Sequence, residues 1–225
     1  MEPPQKRTRY EVIVDRLLLI YLVVLNRRRG NNIHGASFER QVKLQKLLYW
    51  CEHDMFQNKY KGLNYNFFKW THGPFAQEIY IDSRHLINNG FIEENSEELR
   101  VSEKGLNLIE ELTEVFTLNK DIISYMDRIV RRFGEYDADK IMNATYAFPV
   151  PGAKIPISRI RKGDLILPKL SIEQAEQSFY INDDWMETLK ILFDPYLYSA
   201  INTSISEMKS DRGRPFKPEI RLHGP

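Results

Sequence analysis

The sequence predicts a mainly α-helical protein with a small β component: a helical core carrying one short hairpin, then a smaller mixed C-terminal region. Three observations lead there. Apolar side chains recur at helical spacing in successive runs that end on Gly or Asn. Strand-like alternation around a polar turn occurs between Phe91 and Val101. Prolines cluster from Phe148 to Pro156, where the helical block is expected to stop.

Residues 10–28 carry Ile13, Leu17, Leu18, Ile20, Tyr21 and Val24, and the apolar pattern continues around much of the circumference, as in a helix covered by several neighbours. Gly30-Asn31-Asn32 ends it. A second helix is expected from a cap at Ser37 to about Gln57, with Phe38, Val42, Leu44, Leu47, Leu48 and Cys51 as its apolar face. Leu63–Trp70 (LNYNFFKW) reads as extended, and Gly73-Pro74 breaks the chain before a third helix from about Phe75 to Asn89. Then come the hairpin and a helix from about Ser102 to Phe116. Helix, Asn-Gly stop, hairpin and helix in this order are winged-helix-like. Two more helices are expected, Lys120–Phe133 and Asp137 to about Tyr146. The core domain is placed at residues 8–148 and the mixed region at 149–208, with extended pieces between Ile157 and Leu170 and a helix after Asn182. Residues 209–225 form a polar tail with too few apolar residues to fold alone.

Lysine and arginine total 32 against 31 acidic residues, so any electrostatic argument is local. Residues 1–46 carry ten basic and four acidic residues, 10 − 4 = +6. Residues 93–118 carry two basic and eight acidic ones, 2 − 8 = −6. The most apolar run, Leu17–Leu25, is about half of the ~18–20 residues a membrane-crossing helix needs. It is followed by Arg27-Arg28-Arg29 where a signal-peptide cleavage site would require small residues. The single cysteine fits a reducing compartment, and the cytoplasm is the expected location.

Enzymatic and metal readings find little support. Cys51-Glu52-His53-Asp54 are adjacent on a helix and point in different directions, and no second Cys/His pair stands at ligand spacing. His72 has no serine or carboxylate placed beside it by any motif, and no Gly-rich phosphate loop is present. A non-enzymatic protein with no catalytic residues, metal, cofactor or small-molecule substrate is expected.

Lys43–Trp50 (KLQKLLYW), Phe68–Phe75 (FKWTHGPF) with Tyr80, Leu86–Ile92 (LINNGFI), Val101–Gly105 (VSEKG) and Ile129–Asp139 (IVRRFGEYDAD) form an ordered series. It resembles the Panacea, or SocA-like, domain of phage-associated proteins, from about residue 12 to 149. The chain departs from the family pattern at Ala144–Pro149 (ATYAFP), where many members have Thr-His and a nearby proline-tryptophan pair. The resemblance implies an antitoxin that neutralises a cognate toxin, usually by direct contact, with one member instead delivering its toxin to a protease. Residues 150–225 lie outside it, and pairing with a particular toxin is expected to be encoded there.

The partner-binding candidates are Lys43, Lys46, Tyr49, Trp50, Trp70, His72 and Tyr80. Each has a plainer reading: solvated lysines opposite the apolar stripe of the second helix, and aromatics in the core. The rival function is a winged-helix DNA-binding regulator, which needs cations on phosphate. Its candidates are Arg27, Arg28, Arg29, Arg84 and Arg100. Against it, the candidate recognition helix holds Arg84 beside Glu78 and Asp82, and the hairpin is acidic.

Overall fold

The structure, a computed structural model, describes residues 5–151 and 155–209. Helix α1 (Arg9–Arg28) opens on a capping box: the Thr8 hydroxyl accepts from the Glu11 N–H, and the Glu11 carboxylate accepts from the Thr8 N–H at 2.8 Å. Its last turn places Arg27 and Arg28 at the negative end of the helix dipole. Ile13, Val14, the run from Leu17 to Ile20 and the run from Leu22 to Leu25 are all buried. The surrounding elements explain that: several later helices and a strand pack against α1.

After β1 (Ile33–His34), α2 (Ser37–Gln57) starts one residue earlier than a Ser37 cap would require. Ala36 is its N-cap, and the Glu39 carboxylate takes the Ala36 N–H at 2.8 Å. Three short strands follow, β2 (Tyr60–Lys61), β3 (Phe67–Trp70) and β4 (Gly73–Phe75), before α3 (Gln77–Asn88). The hairpin is β5 (Ile92–Glu94) with β6 (Glu98–Val101). The helix expected over 102–116 is two, α4 (Glu103–Glu111) and α5 (Thr113–Leu118). Thr113 Oγ1 donates to the Glu110 carbonyl at 2.6 Å, a side-chain bond that competes with the helical ladder at the break. Helix α6 (Lys120–Phe133) has the expected bounds, and α7 (Ala138–Ala147) is capped by Asp137.

The chain past residue 150 was expected to be a separate region; instead it completes sheets begun earlier. β7 (Leu165–Leu167) pairs antiparallel with β3, and β8 (Gln177–Ser178) pairs parallel with β2. Helix α8 (Asp183–Leu192) packs on α1, burying Met186 and Leu189. Ile157, Leu167, Phe179 and Phe193 join the same core as α1, so residue 148 is not where packing stops. Helix α9 (Pro195–Lys209) was not anticipated from the sequence. The expected polar tail lies, beyond Lys209, outside the described residues.

The fold is mainly α with a small β component, in three sheets ordered β1–β6–β5, β2–β8 and β4–β3–β7 among the described residues. The hairpin and its flanking helices follow the anticipated order. However, β2, β3 and β4 separate α2 from α3, where a helix-turn-helix would have a tight turn. Among the described residues no helix is long and apolar enough to cross a membrane.

Candidate partner-binding groove

The start of α2, the β3–β4 hairpin and the first turn of α3 enclose an open cavity of about 530 Å³. From α2 come Phe38, Gln41, Val42, Gln45 and Lys46, whose spacing puts them on one helical face. Gln45 fixes the geometry: its amide donates to the Ala76 carbonyl at 2.9 Å and accepts from the Ala76 N–H at 3.0 Å, clamping the start of α3 against α2. Gly73 turns the hairpin with φ of 90°, a conformation that side chains disfavour, and a Cβ there would stand 3.4 Å from Lys46 Cε.

The hairpin supplies Trp70 and His72, and α3 supplies Tyr80. Phe38 is 59% exposed and Trp70 and Tyr80 are each 47% exposed, so three large rings on one concavity face solvent. Phe38 meets His72 edge-on with ring centroids 4.9 Å apart. Phe38 had been assigned to the apolar face of α2; it lies instead on the side opposite the core. Lys162 Nζ sits 4.3 Å over the Trp70 ring.

Lys46 forms the floor. It is only 2% exposed, and its Nζ donates to the Pro74 carbonyl at 2.8 Å. Burial, aided by repulsion from Lys69, pulls its pKa down to about 7. The reading of Lys43 and Lys46 as solvated is therefore corrected. Helix α2 packs against α6, α7 and the β4 hairpin and has almost no free face over this stretch. Lys43, 5% exposed, donates to the Gly134 carbonyl at 2.8 Å, close to the α6 C-terminus. Burial lowers its pKa.

Lys46, Trp70, His72 and Tyr80 thus meet in one groove, whereas Lys43, Tyr49 and Trp50 lie inside the protein. Tyr49 is fully buried against Phe67. The Trp50 indole donates to Thr145 Oγ1 at 3.0 Å and stacks on Phe133. The groove residues that sequence reasoning missed are Gln41 and Gln45, with Phe38 assigned to the apolar face; Phe75 is among the aromatics expected in the core or along a groove. The signal that reveals the two glutamines is their spacing from Phe38 and Lys46 on α2.

Of the nucleic-acid candidates, Arg84 pairs with Glu94 at 3.2 Å, Arg100 with Glu93 at 2.9 Å, and Arg29 with Asp127. Arg27 and Arg28 are exposed at the end of α1. Cys51 is buried, and burial pushes its thiol pKa well up, which disfavours the thiolate.

A second concentration of polar groups is mostly buried. Arg7 Nη1 bridges Asp15 at 2.8 Å and Asp82 at 2.6 Å, Arg16 Nε reaches Asp82 at 3.0 Å, and the Tyr65 hydroxyl donates to Asp82 at 3.2 Å. Lys61 and Lys169 both pair with Glu11, at 2.8 and 2.6 Å, joining the C-terminal part to α1. Each cation here has a carboxylate, and the network ties the fold together.

The elements that build the groove carry a family signature. Residues 44–151 match the family model for the antitoxin SocA-like, Panacea domain. The match covers just under half of the chain. It begins in α2, later than the start near residue 12 that the motifs suggested, and ends just past α7. The Panacea stretch holds Lys46, Trp70, His72 and Tyr80; Phe38 and Gln41, on the same groove, precede it. No curated protein and no solved structure matches the chain.

Proposed function

We propose that this protein is an antitoxin that neutralises a cognate toxin by direct protein–protein contact, with the aromatic groove as the contact. The observation that carries the reading is the grouping of Phe38, Trp70 and Tyr80, large rings left in solvent around one concavity of a protein that matches the Panacea-domain model. Tryptophan and tyrosine dominate interface energetics when a partner desolvates them, at about 2 kcal/mol or more for a central residue. Neutralisation is stoichiometric: the bound toxin is covered or held inactive, and no bond is made or broken. Delivery of the toxin to a protease would use the same contact and a second surface.

The DNA-regulator reading would need Arg84, Arg100 and Arg27–Arg29 on phosphate. Arg84, Arg100 and Arg29 already have carboxylate partners, and the β5–β6 hairpin carries Glu93, Glu94, Glu97 and Glu98. Both features weigh against it.

The test is co-expression in a bacterial host with the product of each gene flanking its own, scoring growth and co-purification. A neighbour that arrests growth alone should be rescued by this protein and purify with it. The double variant Trp70→Ala/Tyr80→Ala should lose both effects while keeping its circular dichroism and urea midpoint. A folded double variant that rescues fully, or rescue of no flanking product, overturns the proposal.

A further inference from the structure

The groove has a charge pattern as well as an apolar one. Among the described residues its ionisable lining residues are Lys46, His72 and Tyr80, and none of the lining residues is a carboxylate. An ammonium group carries three N–H donors. Lys46 directs one at Pro74 O, and among the described residues no carboxylate pairs with it. Lys162 adds a cation at the Trp70 rim. Helix α3 opens beside the groove on Ala76, whose side chain cannot cap the first turn.

The opposite end is different. Ser37 Oγ lies 3.4 Å from Glu94, which is held by Arg40 and Arg84. The groove therefore holds one buried amine at Lys46, has a second cation against the ring of Trp70, and is bordered by negative charge beyond Ser37. A single buried lysine between aromatic rings suits one inserted carboxylate. A phosphate backbone needs a row of exposed cations instead.

We propose that the groove takes an acidic segment of the protein partner, with a carboxylate seated at Lys46 and flanking apolar side chains on Trp70 and Tyr80. This rests on the groove being the partner's docking site. The segment is oriented, its acid toward Lys46 and Lys162 and its non-acidic end toward Glu94. Lys46 faces Lys69 of β3, His72 of the hairpin and Tyr80 of α3, and Tyr146 of α7 comes close at Gly73. None of these is a carboxylate. Burial leaves Lys46 only partly charged near neutrality, so docking a carboxylate takes up a proton.

The probes are three fluorescein-labelled peptides on one apolar frame, with a tryptophan flanked by two aspartates, two asparagines or two lysines. Anisotropy titrations of the full chain should show the aspartate peptide binding about tenfold tighter than the asparagine peptide, and the lysine peptide weakest. Lys46→Met should reduce the aspartate preference. Because a change at that buried site can also cost folding, Lys162→Glu at the exposed rim is the second variant and should do the same without affecting the fold. Calorimetry in buffers of different ionisation enthalpy should report proton uptake for the aspartate peptide alone. Equal binding of the three peptides, no binding of the aspartate peptide, or tighter binding of a short oligothymidylate overturns the acid preference. If the peptides bind equally while Trp70→Ala/Tyr80→Ala still abolishes rescue, the groove reading stands and only the acidic occupant falls. If that double variant rescues, the groove reading falls as well.

Discussion

Replacing Arg7 with methionine should lower folding stability by about 3–5 kcal/mol at neutral to slightly alkaline pH. The arginine side chain is 9% exposed and its Nη1 serves two carboxylates that are almost fully buried. Methionine keeps the apolar stem but removes the charge. Asp82 would retain Arg16 and the Tyr65 hydroxyl. Asp15 would keep only the Asn64 backbone N–H at 2.8 Å and side-chain amide at 3.0 Å, with no cation. The magnitude follows from that asymmetry, since one carboxylate is left buried without its counter-charge. The pH dependence carries a sign. Burial already raises the Asp15 pKa from 3.8 to about 7, so the folded protein binds more protons than the unfolded chain between those values. Its contribution to stability is present at low pH and is lost as pH rises toward 7. Without Arg7 that loss continues to higher pH, so the variant should be hurt more at about pH 8 than at about pH 5.5. Urea unfolding followed by far-UV circular dichroism at the two pH values, with unchanged m, measures this. A loss below about 1 kcal/mol at both, or an equal loss at both, would show that Arg7 does not neutralise a buried Asp15.

Ending the chain at Pro149 should abolish cooperative folding, because it strips β7 from β3, β8 from β2 and Leu189 from the α1 core. A truncated protein with a sharp urea transition at the full-length midpoint would contradict that. Gly105→Ala should destabilise by about 1–3 kcal/mol, read as a lower thermal midpoint, since a Cβ would collide with the Phe91 carbonyl and the Val101 side chain. Lys46 has its pKa lowered from 10.5 to about 7, so between those values the unfolded chain binds the extra proton and stability rises with pH. Wild type should therefore gain on Lys46→Met between about pH 7 and about pH 9, and a constant difference would count against the buried, partly neutral lysine.

Much of the local structure was legible because its signals lie within a few residues of one another. The bounds of α6 and the cap of α8 at Asn182 could be read from helical spacing and capping residues, as could the β5–β6 hairpin. The ordered motifs carry the resemblance to the Panacea domain by themselves. The strands β7 and β8 were not legible as partners of β3 and β2. Segments of two or three residues have no usable period, and their pairing is decided by chain far away. The same limit explains the groove. Helical spacing on α2 sets Phe38 with Val42, Gln45 and Lys46, away from Leu44, Leu47, Leu48 and Cys51, but it does not say that the ring stays in solvent while Lys43 and Lys46 are buried. The α6–α7 layer and the β3–β4 hairpin cover the polar side of the helix and supply carbonyls from Gly134 and Pro74 to the ammonium groups. Asp15 likewise stands out in an apolar helix, but its partners come from residues 7 and 64. Most helices, their ends and the domain family could be read from the chain alone, because those depend on neighbouring residues. Which faces are covered, which charges are paired and which aromatics remain in water emerged only on packing, because burial depends on the elements that lie over each position.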